Sequence, residues 1–261
     1  MLRSSVEGNT SDIYLTRFHL FYLHLLSAGL TINKMLASVK HLLAQKRIVL
    51  ASSSPRRQEL IKSIGVDIEL CPSNFEENLD YRDFKEFSQF VEATAAGKAE
   101  EVYQRLHAAD PTADLLVIGA DTMVTLGSDV YGKPKDAADA VRMLTNLSGK
   151  CNRTHTGIVI RHDKGIRQFT ETTDVYFGDL SNAQIQDYVK SGEPLDKAGA
   201  YGIQGIGGSL ISKINGDYYC VMGLPLHRLC KELCALLEDP NSPENGCPAE
   251  KKTRIEENVS D

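Results

Sequence analysis

Apolar and polar residues follow two alternating periodicities along the middle of the chain. Apolar runs of strand length occur at 47–51 (RIVLA), at 66–70 (VDIEL) and at 114–126 (DLLVIGADTMVTL), and the last is the most apolar. Helical spacing of apolar residues falls between them, at 55–64 and from about 85 to 106. Strand and helix patterns in alternation are typical of an α/β domain.

The second half of the chain adds hairpin patterns. Two strand patterns flank the turn HDKG at 162–165, and a second hairpin is expected across Asn215-Gly216, a dipeptide that suits a type I′ turn. Helices are predicted at 136–149, at 181–192 and at 225–237. Hairpins combined with helical crossovers predict an α/β fold with a mixed twisted sheet and flanking helices.

The two ends of the chain differ from this middle part. Residues 1–44 are interpreted as an N-terminal extension, poorly structured or carrying a short helix. Its apolar run at 18–30 is too short to span a bilayer and contains two histidines, although a membrane anchor there is an alternative. Residues 239–261 are rich in Pro, Asn and charge, which predicts a disordered tail. The globular domain is therefore expected at 45–238.

Composition narrows the class of protein. The 42% of hydrophobic and 25% of charged residues are those of an ordinary globular protein, and the net charge of -6 argues against a partner that is a nucleic-acid polymer. The six cysteines include no Cys-x-x-Cys pair, which favours reduced thiols in a cytoplasmic protein. No membrane association is expected.

The stretch SSSPRR at 52–57 has unusual electrostatics. Pro55 takes the first position of the predicted helix, followed by Arg56 and Arg57. A helix start already carries partial positive charge, so each arginine is unfavourable there by about 0.3–1 kcal/mol. A phosphate held by the loop amides, Ser52 and both arginines would explain the placement. The alternative is that the serines cap the helix and the arginines are solvated.

Asp121 is a second anomaly. It follows LLVIGA, so its carboxylate lies at the end of, or within, the most apolar strand. An unpaired charge there would cost several kcal/mol, and such a group normally has a cation or a proton. Capping of a turn is the alternative interpretation. Thr122 places a hydroxyl beside it.

Two glycine-containing segments follow. GSDVYGKP at 127–134 matches the start of a phosphate-binding P-loop, but Pro134 replaces the required Ser or Thr. We therefore reject the P-loop and keep Lys133 as a candidate phosphate contact, with solvated surface as the alternative. SGEPLDKAGAYGIQGIGG at 191–208 combines close-approach glycines with Gln204, whose amide suits a base edge, although a structural loop would explain the glycines alone.

Five motifs resemble the Maf family of nucleoside triphosphate pyrophosphatases in order and spacing. They are LASSSPRRQEL, GADTMV, GKPKDAADAVRML-NLSGK, SGEPLDKAGAYGIQGIGG and KINGDYYCVMGLPL, and the likeness covers roughly residues 45–237. The resemblance implies two lobes around a central cleft, as in the inosine triphosphate pyrophosphatases. It also implies cleavage between the α and β phosphates with a divalent cation, Mg²⁺ first and Mn²⁺ as the alternative, in a homodimer.

The same resemblance implies roles for individual residues. Asp121 resembles the catalytic carboxylate, as a general base, a metal ligand or both, and Glu77 resembles a second metal ligand. Thr122 and Gln204 match the branch of the family that acts on dTTP and UTP. The remaining expected substrate contacts are Ser52, Arg56, Arg57, Lys98, Lys133 and Lys197.

Two hypotheses of function follow. The first is a pyrophosphatase of dTTP, UTP and modified pyrimidine nucleotides, which would remove modified bases before they enter nucleic acid. The second is a nucleotide-binding regulator of cell division without turnover. Asp121 distinguishes them, because a pure binder has little use for a carboxylate beside a polyanion.

Overall fold

The computed structural model of the protein describes residues 35–238. The predictions for residues 1–34 and 239–261 lie outside the described residues. A short helix, α1 (Lys40–Leu43), precedes the first strand, and Leu36, Val39 and Leu43 are buried in the core. The packed body therefore includes residues before position 45, while the division of the whole chain into domains stays a prediction.

The described chain folds into strands and helices in alternation. The strands are β1 (Arg47–Leu50), β2 (Glu69–Leu70), β3 (Leu115–Leu126), β4 (Asp129–Tyr131), β5 (Cys151–His162), β6 (Gly165–Phe177) and β7 (Ile211–Asn215). The further helices are α2 (Pro55–Ser63), α3 (Phe87–Ala109), α4 (Ala137–Leu147), α5 (Asn182–Lys190), α6 (Tyr218–Met222) and α7 (Leu226–Leu237).

One seven-stranded mixed sheet joins the strands in the order β2-β1-β3-β5-β6-β7, with β4 beside the end of β3. β1 is parallel to both β2 and β3, and the other pairs are antiparallel. The predicted mixed α/β sheet is confirmed.

The central strand β3 extends further than β1, the strand parallel to it. β1 pairs with β3 only as far as Leu50 opposite Ile118, after which the chain leaves the sheet and enters α2. β3 continues to Leu126 and pairs there with β4 and β5. An opening thus forms at the carboxyl end of β1, the usual place for ligands in α/β sheets.

Apolar clusters lie on both faces of the sheet and at its far end. One cluster packs α1, α2 and α7 against β1 and β3, and a second packs α3 against the opposite face. A third joins α4, α5 and Tyr201 to the distal part of the sheet, forming a second lobe. The opening beside β3 lies between this second lobe and the part of the sheet that the first two clusters cover.

Small residues bring α3 close to the sheet. A Cβ on Gly119 of β3 would overlap the carbonyl oxygen of Ala95 and lie 2.9 Å from the Cβ of Ala99. A Cβ on Gly157 of β5 would lie 2.6 Å from the carbonyl carbon of Val91. Both glycines are therefore required for the close approach of the helix.

The predicted hairpin across Asn215-Gly216 is wrong. β7 pairs with β6, but the segment after Gly216 forms helix α6 instead of a returning strand. Asp217 caps this helix by accepting a hydrogen bond from the Tyr219 amide, and Gly223 ends it in the left-handed conformation. Local capping therefore outcompeted the turn signal of Asn-Gly.

Among residues 35–238, no helix combines the length and the apolar character that crossing a bilayer requires.

Gly119→Ala should destabilise the protein because its methyl group would push α3 away from β3. We expect the free energy of unfolding to fall by about 1–3 kcal/mol in urea titrations. Gly132→Ala is the matched control, since a Cβ there meets nothing within 4 Å. Equal midpoints for the two variants would contradict the proposed helix–sheet contact.

Candidate active site

A cavity of about 560 Å³ occupies the opening between the lobes. It brings together all the residues that the sequence singled out, while their roles stay predictions. The predicted residues that line it are Ser52, Arg56, Arg57, Glu77, Lys98, Asp121, Thr122, Lys133, Lys197 and Gln204.

A carboxylate and an ammonium group form the most buried charged pair of this cavity. Asp121 lies within β3, opposite Gly157 of β5, and its side chain is 14% exposed. Lys98 of α3, 12% exposed, donates a hydrogen bond from Nζ to Oδ1 of Asp121 at 2.8 Å. The same Nζ lies 3.1 Å from Oε1 of Glu77, which is 58% exposed. Lys98 thus supplies the cation that the buried carboxylate requires.

The donor set of this cluster suits a divalent ion that also binds substrate. Among residues 35–238 there is no group of three or more His, Cys, Asp or Glu side chains that could hold a metal by itself. The carboxylates of Glu77 and Asp121 converge on one ammonium group, and oxygen ligands are those that Mg²⁺ prefers. Mg²⁺ in nucleotide enzymes commonly takes one or two carboxylates and completes its shell with phosphate and water. The residues present fit that arrangement.

The start of α2 forms another wall of the cavity. Ser54 is the N-cap, Pro55 is the first helical residue, and the Ser54 side chain makes no capping hydrogen bond. The buried Ser52 hydroxyl accepts from the Ser54 amide at 3.2 Å. Arg56 reaches across the cavity to Oδ2 of Asp196 at 3.1 Å. The helix start and one guanidinium group therefore concentrate positive charge on this wall.

Arg57 turns inward and connects three segments of the chain. Its Nε donates to the Gly223 carbonyl at 2.7 Å, and its Nη1 donates to the Ala120 carbonyl at 3.0 Å and to the Ser52 hydroxyl at 3.3 Å. Its Nη2 donates to the Thr122 hydroxyl at 2.7 Å. Burial lowers the pKa of Arg57, and the Asp121 carboxylate opposes that effect.

These bonds give Arg57 a structural role that sequence reasoning missed. Four of its five N–H donors serve protein acceptors, which leaves one for a ligand. Two of those acceptors are backbone carbonyls, which have no signature in the sequence. Thr122 also shares a 3.1 Å hydrogen bond with Thr156, so its hydroxyl is fixed from two sides.

The glycine-rich segment supplies the opposite wall. Lys197, whose side chain is largely buried, donates from Nζ to the Glu193 carbonyl at 2.5 Å and lies 2.6 Å from Oδ1 of Asp196. Asp196 thereby links Lys197 to Arg56 of the other wall, a bridge that the sequence did not predict. Gln204 and Lys133 are exposed at the cavity rim.

A cavity with a buried carboxylate, a basic helix start and several further cations defines a site for a polyanion. Comparison with known proteins agrees with this class of site. The model of the Maf family, described as Maf-like protein, matches residues 47–236, so the chain belongs to that family.

Several relatives share a large part of the sequence. A dTTP/UTP pyrophosphatase of Clostridium novyi is 46% identical over 187 residues, which cover 71% of this chain and 95% of that protein. A dTTP/UTP pyrophosphatase of Thermosipho africanus is 42% identical over 183 residues, covering 70% and 90%. A Homo sapiens protein named probable bifunctional dTTP/UTP pyrophosphatase/methyltransferase is 45% identical over 206 residues, covering 76% of this chain. The match spans only 33% of that longer human protein.

Arg57→Lys should destabilise the fold, because a lysine cannot serve acceptors on three segments at once. We expect unfolding in urea to require about 2–4 kcal/mol less free energy. Arg56→Lys is the control, since it alters one partly exposed ion pair and should change stability by less than about 1 kcal/mol. If both variants unfold at the same urea concentration as the parent, Arg57 does not hold the segments together.

Proposed function

We propose that this protein is a nucleoside triphosphate pyrophosphatase that hydrolyses dTTP and UTP to the nucleoside monophosphate and pyrophosphate. The observation that carries the proposal is the convergence of the Asp121–Lys98 pair and the start of α2 on one cavity. The printed names of the Clostridium and Thermosipho relatives support the choice of substrate. Thr122 and Gln204 in the cavity wall agree with that choice.

The charge of the substrate matches the walls of the cavity. A nucleoside triphosphate carries about four negative charges, which must be neutralised wherever it binds in a partly buried site. The start of α2 and Arg56 offer donors on one wall, and Lys197 and Lys133 offer them on the other. Phosphate oxygens would then compete with Asp196 for Arg56 and Lys197. Substrate binding would thus replace protein ion pairs with new ones.

We assign the chemical step to Asp121 and Lys98. Asp121 accepts the proton of the attacking water, and the hydrogen bond from Lys98 holds its carboxylate in place. Glu77 and Asp121 would hold a divalent ion, which supplies charge neutralisation at the phosphate oxygens. Arg57 fixes the Thr122 hydroxyl and the Gly223 turn beside the reacting groups. In this proposal Asp121 acts as the general base, as a metal ligand or as both.

Further elements of the proposal concern the ion and the assembly. Family membership indicates dependence on a divalent metal in general, and we propose Mg²⁺, with Mn²⁺ as the alternative. We also propose a cytoplasmic homodimer. Size-exclusion chromatography with light scattering tests the assembly, and a monomeric mass would contradict it.

The parent protein with dTTP or UTP and Mg²⁺ should release pyrophosphate and the nucleoside monophosphate in equal amounts. Phosphorus NMR of the reaction mixture distinguishes these products from a diphosphate and orthophosphate. Release of orthophosphate alone would show that the cleavage site is wrong. Tight nucleotide binding with no product would favour the regulator of cell division.

Asp121→Asn should abolish most turnover and retain most nucleotide binding, because the amide is similar in size but cannot take a proton. We expect kcat to fall by about 10²–10⁴-fold. Asp129→Asn, which changes an exposed carboxylate at the first residue of β4, is the matched control and should keep the parent rate. A parent-like kcat in the Asp121 variant would remove this residue from the mechanism.

A further inference from the structure

The glycine-rich segment closes around the side chain of Glu193. Oε2 of Glu193 accepts a hydrogen bond from the Ile206 amide at 2.8 Å, and Oε1 accepts one from the Gly207 amide at 3.0 Å. The two amides are consecutive in the chain, so one carboxylate fixes the backbone directly after Gln204 and Gly205. This arrangement resembles an anion bound by backbone amides, except that the anion belongs to the protein.

Tyr188 of α5 belongs to the same hydrogen-bond network as Glu193. Its hydroxyl donates to Oε1 of Glu193 at 3.0 Å and accepts a hydrogen bond from the Gly202 amide at 3.1 Å. Tyr188 is buried in the apolar cluster of the second lobe. The segment from Gly202 to Gly207 is therefore tied at both ends to one carboxylate–phenol pair.

Two glycines of the segment lie close to the side chains of Glu193 and Lys197. A Cβ on Gly205 would lie 2.6 Å from Cδ and from Oε1 of Glu193, and a Cβ on Gly202 would lie 2.7 Å from Cε of Lys197. Larger residues at these positions would push the loop away from Glu193. The density of glycine in the motif thus reflects the close approach of the loop to its own side chains.

Glu193 is held in its ionised form. Burial raises the pKa of Glu193, but hydrogen bonds from the Gly207 and Ile206 amides and from Tyr188, with the charge of Lys197, outweigh burial and lower it. An ionised carboxylate accepts from all three donors at once, whereas the amide of a glutamine would direct N–H groups at one or more of them.

We propose that Glu193 is a positioning residue that sets the place of Gln204 and Lys197 in the cavity, and thereby the selection of the base. Its side chain binds the backbone after Gln204 directly, and Tyr188, which donates to Glu193, binds the Gly202 amide before Gln204. The carbonyl oxygen of Glu193 accepts a hydrogen bond from the Lys197 ammonium group. The inference rests on the proposed function, because base selection is measured as hydrolysis. Glu193 is not among the residues that line the cavity, so it would act on the base through Gln204 and Lys197.

The test uses Glu193→Gln and Tyr188→Phe in the full chain, with dTTP, UTP and dGTP as substrates. We expect KM for dTTP and UTP to rise by about tenfold in Glu193→Gln and kcat to change by less than about threefold, since Asp121 and Lys98 are untouched. The ratio of kcat/KM for UTP to that for dGTP should fall by about fivefold or more. Tyr188→Phe should show the same direction with a smaller change.

Hydrogen–deuterium exchange gives a readout that is independent of hydrolysis. Amides of the peptide covering 202–208 should exchange faster in Glu193→Gln, and those of α3 should not change. Asp187→Asn, which removes an exposed ion pair with Lys190 on α5, is the matched control and should leave both measurements unchanged.

The outcomes separate the two proposals. A parent protein that hydrolyses no triphosphate would overturn the proposed function itself. An active parent with unchanged KM, unchanged selectivity and unchanged exchange in Glu193→Gln would overturn only the role of Glu193. A fall in kcat equal for every substrate, with KM unchanged, would also contradict positioning of the base-recognition loop.

Discussion

A carboxylate inside the central strand of the sheet is the constraint on which the rest of the site depends. Asp121 is nearly buried between strands, so it requires a cation, and Lys98 of α3 provides one. That pairing is possible because Gly119 and Gly157 let α3 lie against the sheet. The packing of small residues and the electrostatics of the site are thus parts of one arrangement.

The opening in front of Asp121 follows from the unequal lengths of β1 and β3. The chain leaves the sheet after Leu50 and starts a helix, while β3 continues beside β5. Arg57 then ties the helix start to β3 and to the turn at Gly223. Its burial explains why one of two adjacent arginines is structural, while Arg56 faces the cavity and pairs with Asp196 across it.

Much of the fold could be predicted from the sequence, and so could a set of residues that line the cavity. RIVLA, SSSPRR and the apolar run around Asp121 gave local signals strong enough to place β1, α2 and β3. The residues around Asp121 predict that its carboxylate has a cation or a proton as partner, but they do not identify that partner. Lys98 was predicted only from the family resemblance, as a substrate contact.

Other features depend on contacts that a linear pattern does not contain. The helix at Tyr218–Met222 replaced a predicted strand, since Asp217 caps it and Gly223 ends it. The inward turn of Arg57 depends on carbonyl oxygens far away in the sequence. Glu193 binds amides 13 and 14 residues further along, in a segment whose glycines alone suggested only an irregular loop.

The most direct test of the central claim is a crystal structure with a dUTP analogue that carries nitrogen between its α and β phosphorus atoms, together with Mg²⁺. The account predicts that the triphosphate lies against the start of α2 and Arg56. It also predicts that the ion lies beside Asp121 and Glu77 and that the base lies near Gln204. A triphosphate bound outside this cavity, with Asp121 and Lys98 still paired and remote from it, would contradict the account.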